Sequence, residues 1–121
     1  MSSANTRVVD RKVFYAGQTI FRQGEKGDRA YLVQEGAVEI LKTGTDGKDK
    51  LLAVIGAGSL FGEMALIDDQ PRMATARARE QTTTVIVGRE QFQEKVRKAD
   101  PFIRALLNIF VRNIREMARK E

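Results

Sequence analysis

Between Tyr15 and Gly88 the apolar residues come in short runs broken by glycine-bearing polar stretches, a pattern that predicts strands. Ile20-Phe21 precedes the turn Gly24-Glu25-Lys26-Gly27-Asp28, and Tyr31-Leu32-Val33 precedes Glu35-Gly36. From Ala37 to Leu41 the chain alternates, with Val38 and Ile40 on one face and Glu39 on the other, as a half-buried strand does. Thr43 to Lys48 is a polar hairpin loop, followed by a strand over Leu51 to Ile55 that Gly56-Ala57-Gly58 closes. Thr75 to Arg79 and Thr83 to Val87 read as a final pair. Many short strands at this spacing predict an antiparallel roll, barrel or sandwich.

After Gly88 the period lengthens. Arg89 to Lys98 carries Phe92 and Val96 four apart, the mark of a short amphipathic helix. Asp100-Pro101 predicts the start of a second, with Asp as cap and Pro at the first helical position. Ile103, Leu106, Leu107, Phe110, Ile114 and Met117 follow at helical spacing, a stripe most simply used to pack on the strands. Ile109 and Val111 fall outside that stripe and suit a seam between two copies, a homodimer through the C-terminal helix. The expected fold is mainly β with C-terminal helices. A jelly-roll-like antiparallel β-roll covers about 15–88 and helices cover about 89–98 and 101–119, in one domain spanning 1–121.

Composition narrows the chemistry. In 121 residues, 42% hydrophobic is enough for one packed core. No apolar run has the length of a membrane span, and Met1 to Arg7 lacks the apolar stretch of a secretory signal. With no cysteine to form disulfides, a cytoplasmic location is expected. The absence of both histidine and cysteine excludes Ser-His-Asp triads, Cys-His pairs and the usual zinc sites. Carboxylate-only catalysis or a magnesium site stays formally open. The net charge of +5 suits an anionic partner, but the signs alternate along most of the chain and read as a mixed solvated surface. Arg104, Arg112, Arg115, Arg119 and Lys120 read the same way. No stretch after the last helix has the length of a helix-turn-helix, so DNA reading of that kind is not expected.

One segment fits neither strand nor ordinary loop: Phe61-Gly62-Glu63-Met64-Ala65-Leu66-Ile67-Asp68-Asp69-Gln70-Pro71-Arg72-Met73-Ala74-Thr75. Glu63 to Ile67 is about one turn of strong helix formers opened by Gly62, and a helix start presents free backbone N–H groups to an anion. Arg72, nine residues after Glu63, carries a planar guanidinium suited to gripping a phosphate through two parallel hydrogen bonds. Met73-Ala74 adds backbone donors with little bulk at Ala74. Asp68 and Asp69 read as turn residues beside Pro71 rather than metal ligands. On the residues alone, Glu63 and Arg72 serve equally as a structural ion pair.

Phe61-Gly62-Glu63-Met64-Ala65-Leu66 with Pro71-Arg72-Met73-Ala74-Thr75 resembles the phosphate-binding cassette of cyclic nucleotide-binding domains. The resemblance extends to the glycine framework Ala16-Gly17, Gln23-Gly24, Gly27-Asp28 and Glu35-Gly36. It implies a binding module that catalyses no reaction, uses no cofactor or metal, and takes cyclic AMP as ligand, with cyclic GMP less favoured. By resemblance, Glu63 accepts a hydrogen bond from the ribose 2′-hydroxyl. Arg72 pairs with the cyclic phosphate, joined by backbone N–H groups around Gly62, Met64, Ala65, Met73 and Ala74. Ile40 and Leu52 line the apolar side near sugar and base. In such domains a residue of the final helix swings over the base, which makes Asn108 and Arg112 the candidates here. Family members that favour cyclic GMP often place threonine directly after the arginine; Met73 stands there instead, and a thioether is a poor partner for the guanine amino group. The expected output is movement of the last helix, read by a protein effector or a second copy. The alternatives are the sensor portion of a larger transcription factor or channel, a cupin-like enzyme that the missing histidines disfavour, and a degenerate protein-interaction domain.

Overall fold

The first strand begins earlier than the hydrophobic pattern indicates. In a computed structural model, which describes residues 10–119, Arg11–Phe14 forms β1, although only Phe14 of its four residues is buried. Met1 to Arg7 and Lys120, used above, lie outside the described range. The remaining strands are β2 (Thr19–Phe21), β3 (Arg29–Glu35), β4 (Ala37–Thr43), β5 (Asp49–Gly56), β6 (Leu60–Phe61), β7 (Thr75–Ala78) and β8 (Thr82–Gly88). They form two four-stranded antiparallel sheets, ordered β1-β8-β3-β6 and β2-β7-β4-β5. The short helix α1 (Met64–Asp68) interrupts them, and α2 (Arg89–Arg97) and α3 (Pro101–Arg119) follow.

The two strands read from the sequence as a final pair do not pair with each other. β7 lies between β2 and β4 in one sheet, while β8 lies between β1 and β3 in the other. The chain changes sheet at Arg79 to Gln81, where Gly36 (φ 100°) passes so close to Gln81 and Thr82 that a Cβ would sit 2.5 Å from each. Thr82 and Thr84 are fully buried, and their hydroxyls are satisfied by carbonyls, Thr84 donating to Lys12 at 3.0 Å.

Phe14, Tyr31, Val33, Val38, Phe61, Ala76 and Ala78 form the core between the sheets. Tyr31 stacks on Phe61 with ring centres 5.1 Å apart, Phe14 meets Tyr31 edge-on, and Phe21 leans on both Tyr31 and Phe61. Along β4 the buried positions change phase: Val38 and then Leu41 are buried. β4 keeps an unbroken register with β7, whereas on its other side Ile40 pairs with Ala53 but Leu41 pairs with Leu51, so Leu52 is an extra residue on β5.

Helix α3 opens on the Asp100 cap, whose carboxylate accepts the Phe102 N–H at 2.8 Å. The face it lays on the molecule differs from the stripe expected to be core. Val111 and Ala118 are buried, whereas Ile103, Phe110, Ile114 and Met117 are exposed. Val111, Arg115 and Ala118 lie within two turns of one another on one side, and that side carries the smaller apolar residues. Val111 therefore belongs to the docked face and not to a free seam. No helix among the described residues is long and apolar enough to cross a membrane.

Candidate functional site

β6 delivers the chain to Gly62, which has φ 81°. A Cβ there would stand 2.9 Å from Nη1 of Arg72 and 3.1 Å from the Phe21 ring, so both backbone angle and space require glycine. Glu63 then caps α1, its carbonyl accepting the N–H groups of Leu66 (3.0 Å) and Ile67 (3.2 Å). The preceding amides, Met64 and Ala65, have no carbonyl within the helix to reach. At the other end Asp69 adopts a left-handed conformation (φ 59°), one that aspartate tolerates, and its N–H closes the helix on the Ala65 carbonyl.

Arg72 is held from every side. Its backbone N–H donates to Glu25 and its carbonyl accepts from Gly24, both at 2.8 Å, tying it to the turn after β2. Its guanidinium lies 4.0 Å over the Phe21 ring; Nη1 donates to the Gly62 carbonyl (2.5 Å) and Nη2 to the Arg29 carbonyl (2.7 Å). The residue is only 6% exposed, and its Nε is buried without a hydrogen-bond partner. Among the described residues no carboxylate forms an ion pair with it. The ion-pair reading of Glu63 and Arg72 therefore does not describe this structure, although each feels the other's charge. Burial pushes the Arg72 pKa down, opposed by the nearby Tyr31, Asp28, Glu25 and Glu63. Burial likewise pushes the Glu63 carboxyl above its ordinary range, opposed by its own backbone amide and by Arg72.

These groups border a cavity of about 590 Å³, within the range of small-molecule sites. Phe61, Gly62, Glu63, Met64, Ala65, Arg72, Met73 and Ala74 form one side, and Ile40 and Leu52 with Ala53, Ile55 and Leu60 form the other. Leu52 gets there by the bulge in β5. The lid comes from α3, through Ile114, Arg115, Met117 and Ala118. Asn108 and Arg112 are not brought to the cavity. The Asn108 amide donates back to the Arg104 carbonyl at 2.9 Å, and Arg112 is exposed. The helix is anchored farther along: Arg115 forms a two-pronged pair with Asp68 and donates to the Pro71 carbonyl at 3.0 Å.

Sequence reasoning passed over three features of this site. Gly27 reads as a turn former, but its φ is not left-handed, and its importance is space. A Cβ there would lie 2.7 Å from both the Arg72 Cζ and the Ala65 Cβ. Asp68 and Asp69 are anchors as well as turn residues, since Arg89 of α2 pairs with Asp69 at 2.7 Å and also donates to the Gly27 carbonyl. Arg115 is not a solvated cation. The available signal was two acidic residues at the C-terminal end of a helix, where the macrodipole calls for cations.

Residues 11–99 match the model of the family described as cyclic nucleotide-binding domain. The cyclic AMP receptor protein of Thermus thermophilus is 36% identical over 106 residues, covering 88% of this chain and 49% of that protein. A CRP-like cAMP-activated global transcriptional regulator of Mycobacterium tuberculosis is 29% identical over 113 residues, 93% of this chain and 50% of the relative. The chain thus spans about half the length of these curated relatives. Among solved structures, the EAL enzyme Bd1971 in its cyclic AMP-bound form superposes with a TM-score of 0.85 at 36% identity, over 89% of this chain and 29% of that one. Its cyclic GMP-bound form gives the same TM-score at 35% identity, over 92% and 30%.

Proposed function

Because the chain belongs to the cyclic nucleotide-binding domain family, we propose that its cavity receives a cyclic mononucleotide, cyclic AMP ahead of cyclic GMP, and that the module binds rather than catalyses. The observation that carries this is Arg72: a buried guanidinium that no carboxylate among the described residues pairs with, at the wall of a mostly apolar cavity. A buried charge without a counter-charge is costly, and a phosphate supplies the missing one. The first-turn amides of α1 add donors, and Glu63 stands ready to accept from a ribose hydroxyl. The remaining lining, chiefly Ile40, Leu52, Ile55, Leu60, Met73 and Ile114, suits a purine face. It offers little to read the base edge, so the preference for adenine is modest.

The output in this reading is the position of α3, whose residues 114–118 close the cavity. The listener is a protein effector or a second copy of the chain, and the half-length match to the receptor proteins suits the sensor part of a larger regulator. Titration calorimetry with cyclic AMP, cyclic GMP and open-ring AMP tests the ligand: affinities should fall in that order. Charge-assisted hydrogen bonds contribute about 1.5–3 kcal/mol each. Arg72→Ala should therefore weaken cyclic AMP binding by roughly a hundredfold or more, at about 1.4 kcal/mol per tenfold. Arg72→Lys should recover only part, because an ammonium lacks the planar fork. Wild-type affinity in the alanine variant would sink the site.

A further inference from the structure

Two acidic residues end α1, the wrong sign for a helix C-terminus, and each is answered by an arginine from a different C-terminal helix. The two answers are unequal. Asp69 is 74% exposed at its side chain, so its pair with Arg89 is largely screened. Asp68 and Arg115 are 20% and 17% exposed, and the guanidinium meets both carboxylate oxygens. Its remaining prong reaches the Pro71 carbonyl at 3.0 Å, one residue before Arg72. Arg115 thus spans the cassette from the end of α1 to the residue before the phosphate-facing arginine. Among the described residues few other contacts fix α3: Val111 and Ala118 are the helix's buried residues, and a further ion pair, Arg119 with Glu116, is internal and exposed.

We propose that Arg115 is a positioning residue whose fork on Asp68 and Pro71 sets α3 across the cavity mouth and couples α3 to nucleotide occupancy of the cassette. This rests on the cyclic-nucleotide reading of the cavity. An anion drawn to Arg72 and the start of α1 loads the same short segment that Arg115 grips at its far end. Any displacement of that segment is delivered to α3 through a rigid two-pronged contact. Ile114, Met117 and Ala118 flank Arg115 in the helix, so the same contact decides how closely they cover the ligand.

The test uses the whole chain with Asp68→Asn, Arg115→Gln, Arg115→Lys and the double variant Asp68→Asn/Arg115→Gln. Hydrogen exchange is measured with and without cyclic AMP, along with the dissociation rate of cyclic AMP. Without nucleotide, Asp68→Asn and Arg115→Gln should each speed exchange across 110–119 about tenfold or more, the factor that about 1.4 kcal/mol of lost contact gives, while 29–35 and 82–88 stay unchanged. Both should release cyclic AMP faster and lose most of the nucleotide-induced protection of α3. Arg115→Lys should fall between, and the double variant should be no worse than either single one. Faster exchange with unchanged dissociation and unchanged nucleotide-induced protection would make the pair merely structural and overturn the coupling. Unchanged exchange in α3 would overturn the positioning itself. If the wild-type protein binds no cyclic nucleotide, the ligand reading fails and the coupling falls with it, while the nucleotide-free exchange still decides whether Arg115 positions the helix.

Discussion

Arg72 and Glu63 place opposite charges at one apolar cavity without neutralising each other, and Glu63 carries a measurable consequence. Burial raises its pKa above the ordinary value of 4.5. The folded protein then keeps the Glu63 proton to a higher pH than the unfolded chain does. The residue's contribution is most favourable below the unfolded value and declines as pH rises through the raised folded value. At pH 7, above the unfolded value, the Glu63 carboxyl therefore counts against the nucleotide-free fold. Glu63→Gln should therefore melt higher than wild type at pH 7, with the advantage shrinking toward pH 4.5, as a series of melts across that range would record. The same substitution should weaken cyclic AMP binding by about tenfold or more, since a hydroxyl donating to a charged acceptor contributes about 1.5–3 kcal/mol. Melting at pH 7 no higher than wild type would contradict the desolvated carboxylate. That Glu63 and Arg72 come to one cavity was legible in the sequence, because their spacing around Gly62 and Pro71 carries the resemblance. Gly27 was not, because the need for glycine there comes from Arg72 and Ala65, which only the fold brings beside it.

At the scale of elements, short apolar runs between glycine turns were enough to read the antiparallel β character and the two closing helices. What the period could not convey was which strand lies beside which. β7 and β8 are separated by three residues yet sit in different sheets, because the chain crosses the core instead of turning back on itself. β1 was missed because an edge strand with one buried residue has little alternation to show. The docked face of α3 was misjudged for a related reason. The apolar stripe marks what must leave water, whereas small residues and an ion pair decide where the helix sits on the cassette. Its start was legible, since Asp100 and Pro101 act locally. Asp100→Ala should destabilise the protein by about 1 kcal/mol, the usual worth of such a cap. The change should appear as a lower melting temperature and faster exchange in the first turn of α3, with cyclic AMP affinity preserved, because the cap lies far along the helix from residues 114–118. A large loss of affinity would mean that the whole of α3, and not its far half, shapes the cavity.

For the whole molecule, the exposed side of α3 carries several large apolar side chains. Ile103, Leu107 and Phe110 are four and three residues apart, the spacing of a two-helix seam, which continues through Ile114 and Met117 at the edge of the cavity. Phe110 is 53% and Met117 63% exposed. The reading of a second copy as partner places that seam here, in place of the Ile109 and Val111 expected from the sequence. Two linkages then act on stability and are separable. Nucleotide at a hundred times its dissociation constant adds about 2.7 kcal/mol to the folded state. At several degrees per kcal/mol for a chain of this size, the melting temperature should rise by roughly 10 °C, and open-ring AMP should move it far less. Association through the seam instead makes the melting temperature rise with protein concentration. Phe110→Glu puts a charge in the middle of the seam but does not border the cavity. It should remove the concentration dependence, convert a dimer to a monomer in sedimentation, and leave the cyclic AMP shift in place. Loss of the nucleotide shift together with the dimer would mean that the cavity is complete only when two chains meet. Sedimentation of the wild type as a monomer at every concentration would instead leave the stripe to a different partner.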